Sequence, residues 1–266
     1  MTLIVGWVGK DSLKISSFYL ASDSRFSWSK NDNYDFGRKV FALKNSPDIL
    51  AYCGDVLYPT VALNHLVSMD ADGLLFSPGS SSIERSKIVY HELVRKIENY
   101  PAKIMRKSFD IIHASRQGTS DFICNVYSWS ITRGWKTTPK KIPDVSDRLL
   151  VLGTGEVEFN QRYDAYYRGI SSQTSRAIFQ CLTHTLSKIK DPECGGPPQL
   201  VALYNSGNGK TIGTIYKDRP YYLGTEITPS INVRKIDWRN DLFERCDGLT
   251  GKILNGAQRQ PDPLKT

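Results

Sequence analysis

The order of elements in the sequence predicts an α+β protein built as a four-layer αββα sandwich, with two stacked antiparallel sheets flanked by helix pairs. Three observations support this fold class. Strand-like segments come first, two helical segments follow in succession, and the same order then repeats before the last strands. Helices in consecutive pairs do not fit the one-for-one alternation of a doubly wound parallel sheet. A helix pair can instead cover one outer face of an antiparallel sheet.

The composition is that of an ordinary folded domain. Of the 266 residues, 40% are apolar and 23% are charged, which excludes disorder throughout the chain. The apolar runs are too short for a membrane span, and the first residues lack the basic segment and apolar run of a secretory signal. The net charge of +8 could attract nucleic acid. The basic residues are dispersed, however, and form no nucleic-acid-binding motif, so we expect no membrane or nucleic-acid partner.

The cysteines and histidines indicate neither disulfides nor a metal. Five cysteines are an odd number, and no CxxC pair is present, a pattern typical of reduced thiols in a cytoplasm. Four scattered histidines without zinc-type spacing give a metal ion little to bind. We therefore expect a cytoplasmic protein that uses no metal and no other cofactor.

The first half of the chain contains four predicted strands and two predicted helices. Short apolar runs bounded by polar or turn residues indicate the strands. Apolar residues at helical spacing indicate the helices, and the sequence SSIE at the start of the second helix can form a capping box. The strands are predicted at residues 3–8, 17–21, 39–43 and 49–53, and the helices at 58–69 and 82–100.

The second half repeats this order and then becomes less regular. We predict a body over residues 2–224 and a C-terminal extension over residues 225–266 that packs on the body or on a neighbouring subunit. Within the extension, residues 236–249 (IDWRNDLFERCDGL) are compatible with an amphipathic helix. In the body, strands are predicted at 109–114, 122–131, 149–152, 199–204, 210–216 and 221–223, and helices at 157–168 and 173–188.

Six short motifs are interleaved with these elements: TLIVGW, YLASDSR, GRKVFAL, AYCGD, LLVLGTG and DPECGG. Their order resembles that of proteasome β-type subunits and their bacterial relatives, over roughly residues 2–224. The resemblance implies the N-terminal nucleophile (Ntn) hydrolase fold and self-assembly into a ring or stacked rings. It also implies cleavage of peptides or unfolded proteins by a threonine that becomes the N-terminal residue. Any unfoldase partner is left open.

Thr2 directly follows the initiator methionine. Removal of Met1 would leave a residue that carries both a hydroxyl nucleophile and a free α-amine, whose reference pKa of about 7.7 to 8.0 suits a base near neutral pH. Taken without the motifs, Thr2 is simply a β-branched residue of a first strand. With them, we predict that Thr2 is the nucleophile of a threonine-type peptidase.

Asp23 and Lys39 lie sixteen residues apart, the same separation as in the family. The resemblance implies that the Lys39 ammonium favours the neutral form of the Thr2 amine and eases loss of the hydroxyl proton, since a nearby cation disfavours another. Asp23 would hold Lys39 in place. The alternative is a surface ion pair worth less than about 1 kcal/mol.

Gly54 matches the family glycine whose backbone N–H contributes to the oxyanion hole, although an ordinary turn glycine remains an alternative. The next residue, Asp55, departs from the family, and its carboxylate would oppose a developing oxyanion if it pointed inward. Beside the site, aromatic and aliphatic residues either line the first specificity pocket or belong to the core. They are Phe26, Gly37, Phe41, Tyr52 and Val56.

Thr154, Asp191 and Cys194 match three supporting positions of the family. Asp191 is kept, but Thr154 and Cys194 both stand where the family has serine, and a thiol is the poorer hydrogen-bond partner. These departures leave two functions open. The chain is either an active threonine peptidase or a catalytically weak or inactive ring subunit with a scaffolding role.

Overall fold

The computed structural model describes residues 2–29, 31–101, 107–168, 172–228 and 230–259. Four α-helices and one 3-10 helix lie within these ranges: α1 (Leu57–Ala71), α2 (Ser82–Glu98), α3 (Glu156–Tyr167), α4 (Ser175–Lys188) and the 3-10 helix Ile231–Lys235. The strands of the same ranges are β1 (Ile4–Lys10), β2 (Ile15–Ser22), β3 (Phe26–Ser27), β4 (Asn33–Tyr34), β5 (Val40–Ala42), β6 (Asp48–Gly54), β7 (Phe109–Gln117), β8 (Asp121–Ser130), β9 (Gly134–Lys140), β10 (Asp147–Leu152), β11 (Gln199–Tyr204), β12 (Lys210–Tyr216), β13 (Arg219–Tyr222), β14 (Thr225–Glu226), β15 (Trp238–Asn240) and β16 (Arg245–Cys246).

These strands form two main sheets. The larger sheet has the order β10-β1-β2-β11-β12-β13-β14, with β15 joined to β12 and β16 joined to β15. The smaller sheet has the order β5-β6-β7-β8-β9, and β3 and β4 make a separate hairpin. Neighbouring strands are antiparallel except for β12 and β15, which run parallel. The two sheets are therefore almost entirely antiparallel, as the sequence predicts.

Three apolar clusters separate four layers. The middle cluster fills the space between the two sheets and includes Leu20 and Ile49. A second cluster, with Phe179, lies between the larger sheet and the pair α3 and α4. A third, with Leu63, lies between the smaller sheet and the pair α1 and α2. Each fully buried Leu, Ile or Phe side chain contributes about 1.5–3 kcal/mol. The predicted α+β, four-layer αββα class is confirmed.

Two helices begin where the sequence supplies a side-chain cap. Ser81 Oγ accepts from the backbone N–H of Glu84 at 3.2 Å, and the Glu84 carboxylate accepts from the Ser81 N–H at 2.7 Å. This is the predicted capping box at the start of α2. Thr174 caps α4 in the same way by accepting from the Ala177 N–H. Such caps stabilise a helix by about 0.5–2 kcal/mol each.

The extension differs from its prediction. Residues 236–249 form no amphipathic helix, and the segment contributes β15 and β16 instead. Asn240 Oδ1 accepts from the N–H groups of Leu242 and Glu244, at 3.1 and 2.8 Å, and this turn reverses the chain. Trp238 is buried, with its indole N–H donating to Val233 O. The division into residues 2–224 and 225–266 stays a prediction.

The strand β9 has no counterpart among the predicted elements. It lies at the edge of the smaller sheet beside β8. Its sequence, GWKTTPK, is mostly polar and contains Pro139, features typical of an edge strand that is protected from further pairing. Hydrophobic alternation is therefore too weak there to indicate a strand.

Candidate active site

Thr2, Asp23 and Lys39 meet at one end of the two sheets. Thr2 lies just before β1 and Asp23 just after β2, and the β1–β2 pairing sets Ile4 opposite Ser22, so the two residues come side by side. Lys39 lies just before β5 of the facing sheet. Its Nζ donates to Thr2 Oγ1 at 2.6 Å and to Asp23 Oδ1 at 2.8 Å.

This ion pair is buried rather than exposed. Lys39 is 1% exposed, Asp23 is 0% exposed and Thr2 is 1% exposed. Burying an ammonium costs several kcal/mol of hydration free energy. An opposite charge and hydrogen bonds can offset this cost. Asp23 supplies the opposite charge, and the Thr2 hydroxyl accepts a hydrogen bond from the ammonium. The alternative of a surface ion pair is therefore wrong.

Further bonds fix the Asp23 carboxylate. Oδ1 also accepts from the Leu3 N–H at 3.0 Å, while Oδ2 accepts from the N–H groups of Arg25 and Gly195, at 3.2 and 3.1 Å. The backbone N–H of Asp23 donates to Leu3 O. One carboxylate thus joins the start of β1, the end of β2 and the loop before β11, which leaves it little freedom to rotate.

The loop after β10 packs directly on the backbone of Thr2. The Thr2 carbonyl accepts from the Gly155 N–H at 3.3 Å. A Cβ atom at Gly153 would lie 2.1 Å from Thr2 O, and the φ of Gly153 is +99°. Both the contact and the backbone conformation require glycine there. The first glycine of GTG is therefore required by the packing on Thr2, independently of the hydroxyl of the threonine that follows it.

Thr154, Asp191 and Cys194 form a second group beside the first. Cys194 Sγ lies 3.5 Å from Thr154 Oγ1 and 3.4 Å from Asp191 Oδ2. Burial, followed by the nearby Asp23 charge, raises the pKa of the Cys194 thiol to about 12, so it stays protonated at neutral pH. Burial opposes ionisation of Asp191, but hydrogen bonds, first from the Thr154 hydroxyl, lower its pKa overall.

Comparisons with known proteins identify the fold. No family model and no curated protein matches the sequence. Among solved structures, Anbu (ancestral beta-subunit) from Yersinia bercovieri is 13% identical, over 79% of this chain and 86% of that chain, with a TM-score of 0.53. The helical Anbu assembly from Pseudomonas aeruginosa is 14% identical over 79% and 86%, with a TM-score of 0.52. An Anbu Gly-1 mutant from Hyphomicrobium sp. strain MC1 is 9% identical over 84% and 87%, with a TM-score of 0.51.

The chain has the proteasome-like Ntn-hydrolase fold. The resemblance inferred from the six motifs is confirmed at this level. Identities this low establish the fold alone, so the roles of the site residues rest on the geometry of this chain. In this Ntn fold, Thr2 lies just before the first strand of the larger sheet, and the helices lie on the outer faces.

Gly54 is the last residue of β6. This strand lies beside Lys39, since the Tyr52 N–H donates to Lys39 O. Its φ is +96°, and a Cβ atom there would lie 2.3 Å from Ser108 O, so the position requires glycine. The adjacent Asp55 carboxylate accepts from the Leu57 N–H at the start of α1. The oxyanion-hole role of Gly54 stays a prediction.

The residues considered for a specificity pocket divide into two sets. Phe41 and Tyr52 are buried in the cluster between the smaller sheet and α1 and α2, as core residues are. Phe26 lies beside the site, with its ring centroid 5.8 Å from Lys39 Nζ. Gly37 makes room for that ring, because a Cβ atom there would lie 2.4 Å from it. Of the residues considered for the pocket, Phe26 therefore has its ring beside the Lys39 ammonium.

Sequence reasoning missed Gln199, the first residue of β11. Its side chain is 1% exposed and bonds to the backbone of the segments that carry Asp23 and Lys39. In the sequence, Gln199 is only a single polar residue before the apolar run LVALY. Such a residue looks like an ordinary strand boundary and does not indicate a site.

The described ranges also bear on two other kinds of site. Among these residues, no group of three or more His, Cys, Asp or Glu side chains is arranged to hold a metal ion. Over the same ranges, none of the helices has the length and apolar character needed to cross a membrane.

Proposed function

We propose that the chain is an N-terminal threonine peptidase or amidohydrolase that cuts peptide bonds through an ester on Thr2, once Met1 has been removed. One observation carries the proposal, the buried Lys39 ammonium that bonds to both Thr2 Oγ1 and Asp23 Oδ1. A cation that donates to the hydroxyl oxygen stabilises the negative charge that develops there, and the low-dielectric surroundings strengthen this effect.

In the acylation step, Thr2 Oγ1 attacks the carbonyl carbon of the scissile bond while the free α-amine of Thr2 takes the hydroxyl proton. The carbonyl oxygen becomes an oxyanion, for which the Gly54 N–H is the proposed donor. Collapse of this intermediate breaks the C–N bond, and the proton on the α-amine passes to the departing amine. The products are an ester on Thr2 and a free amine.

Deacylation uses water in the same arrangement. The α-amine, neutral again, accepts a proton from water, and the resulting hydroxide attacks the ester carbonyl. The C–Oγ1 bond breaks, the proton returns to Oγ1, and the acid product leaves. Lys39 takes no part in these proton transfers, because its proposed part is electrostatic. Thr154, Asp191 and Cys194 are proposed to support the amine side of the site.

We also propose that copies of this chain assemble into a ring or stacked rings that admit peptides and unfolded proteins. A solved Pseudomonas aeruginosa structure similar to this chain is named as a helical assembly, which supports the proposal of self-association. Exposed apolar residues on the outer helices, such as Val61 and Ile83, are available for contact. The five buried, unpaired thiols suit a reducing cytoplasm.

A digestion experiment tests the proposal. The purified protein and its Thr2→Ala variant are each incubated with a mixture of unstructured peptides, and the products are identified by mass spectrometry. We expect new termini with the wild-type protein and none with Thr2→Ala. Equal cleavage by both would exclude Thr2 as the nucleophile. An intact oligomer in sedimentation without cleavage would favour the scaffolding subunit instead, and a monomer at micromolar concentration would contradict the ring.

A further inference from the structure

Gln199 carries a carboxamide that is as buried as the ion pair beside it. Its Oε1 accepts from the Lys39 N–H at 3.0 Å. Its Nε2 donates to Gly37 O at 2.6 Å and to Asp23 O at 3.1 Å, with Ser24 Oγ at 3.2 Å. One side chain therefore bonds to the backbone on both sides of the Lys39–Asp23 ion pair.

The two halves of this ion pair belong to different sheets. Asp23 follows β2 of the larger sheet, whereas Lys39 precedes β5 of the smaller sheet, and β11, which begins with Gln199, pairs with β2. No strand pairing sets the separation of Asp23 and Lys39. The carboxamide bridges β11 and the segment 37–39, and together with the Gly37 N–H, which donates to Ser24 O at 2.9 Å, it ties that segment to the larger sheet.

We infer that Gln199 is a positioning residue that holds the Lys39 ammonium between Asp23 and Thr2. This inference rests on the proposed function only for its effect on reactivity, because the position of Lys39 can be measured separately. An amide so deeply buried is costly unless its polar atoms are bonded, and here both ends are. Replacing it leaves the Lys39 N–H and the Gly37 carbonyl without their partner.

The consequence for reactivity follows from geometry. Lys39 Nζ has to reach two atoms at once, and a displacement of the segment lengthens at least one of these contacts. A misplacement of about 1 Å at a reacting centre can lower a rate by on the order of 100-fold. Loss of the Gln199 bonds is therefore expected to lower the reactivity of Thr2 although Gln199 does not touch it.

Gln199→Met tests this inference, because methionine keeps the length of the side chain and removes its polar atoms. Gln180→Met is the matched control: Gln180 is 2% exposed and lies on α4, where its Nε2 donates to Leu242 O. Two quantities are measured in each protein. One is the rate of Thr2 modification by a threonine-directed electrophile. The other is the 13Cε NMR signal of Lys39, identified by its disappearance in Lys39→Arg.

We expect Gln199→Met to shift the Lys39 signal and to slow Thr2 modification by about 10- to 100-fold. Gln180→Met should change neither, even where its melting temperature falls. A folded Gln199→Met protein with the wild-type signal and rate would overturn the inference. If the wild-type protein is not modified at Thr2, the proposed function fails, and the Lys39 signal alone decides the role of Gln199. If Gln199→Met does not fold, Gln199→Asn, which shortens the carboxamide by one methylene, is measured in its place with the same criteria.

Discussion

Two buried ion clusters of the described residues look alike in their chemistry. The first, here the Lys39 cluster, consists of Thr2, Asp23 and Lys39. The second, the Asp48 cluster, joins β6, α2 and β7. In it, the Asp48 carboxylate accepts from Arg85 Nε at 2.7 Å and lies 2.8 Å from His113 Nε2. Asp48 is 0% exposed, and its partners are almost as deeply buried.

The difference lies in what each cation bonds to. Arg85 directs its remaining donors to groups that tie α2 to the smaller sheet, including Ser115 Oγ and Arg116 O, at 2.9 and 2.7 Å. Lys39 instead directs a donor to the Thr2 hydroxyl, a group that can act as a nucleophile. Burial and charge pairing are therefore not enough to indicate a reactive site. The two clusters differ in the group to which the cation donates, a hydroxyl that can act as a nucleophile in one and structural groups in the other.

The largest effect is expected at Lys39. Lys39→Met should slow Thr2 modification by about 10²- to 10⁴-fold, because the hydroxyl loses its stabilising cation and the α-amine binds a proton more tightly. Asp23→Asn should be milder if Asp23 only orients Lys39. Modification rates are measured on protein shown to be folded by circular dichroism. A Lys39→Met protein with the wild-type rate would remove the distinction between the clusters.

The Asp48 cluster should respond in stability and not in reactivity. Asp48→Asn is expected to lower the free energy of unfolding by about 3–5 kcal/mol, since Arg85 is left as a buried and uncompensated charge. Denaturant titration gives this value, and Thr2 modification is followed well below the melting temperature. A rate of Thr2 modification that falls as steeply as it does in Lys39→Met would show that the Asp48 cluster also controls reactivity.

A half-buried carboxyl outside both clusters gives a smaller and pH-dependent effect. Burial raises the pKa of Asp241 from 3.8 to about 6, so the folded state binds this proton more tightly than the unfolded chain does. Stability at neutral pH is reduced accordingly and is regained as the pH falls from about 6 towards 4. Asp241→Asn should raise the free energy of unfolding at pH 7 by about 1–3 kcal/mol.

The matching measurement is a pair of denaturant titrations of the wild-type protein and Asp241→Asn, at pH 7 and pH 4. The gain at pH 7 should shrink towards zero at pH 4, where the wild-type carboxyl is protonated in the folded state and about half protonated in the unfolded chain. A gain that is the same at both pH values would show that ionisation of Asp241 is not its cause.

The smallest effect is expected at Cys194. Cys194→Ser should keep or raise the rate of Thr2 modification, because a hydroxyl bonds to Thr154 and Asp191 more strongly than a thiol does, and Cys194→Ala should lower it modestly. The stability changes should be about 1 kcal/mol. Cys194 also touches the core beside α4, so a destabilised and inactive Cys194→Ser next to a fully active Cys194→Ala would assign it to the core alone.

The layers of the fold follow from the sequence because most of their helices and strands carry a local hydrophobic pattern. The capping box before α2 and the apolar runs of β1 and β6 are local signals of this kind. The extension escaped prediction because its outcome depends on one turn, in which the Asn240 side chain bonds to two following N–H groups and reverses the chain. The periodicity of apolar residues does not reveal such a turn.

The site was predicted only in part for a related reason. The motifs point to Thr2, Asp23 and Lys39, but their meeting depends on the β1–β2 register and on the separation of two sheets. Gln199, which bridges that separation, is isolated in the sequence and has no spacing to mark it. Similarly, the glycine at position 153 is explained by the Thr2 carbonyl that lies against it and by its φ of +99°, which the sequence does not show.

We propose that the Lys39 cluster makes Thr2 a nucleophile. The most direct measurement is the intact mass and peptide map of the purified protein after incubation with a threonine-directed electrophile. We expect loss of Met1 and a single adduct on Thr2 that is absent from Thr2→Ala. Retention of Met1 without an adduct, or an adduct on a cysteine such as Cys194, would exclude this role of Thr2.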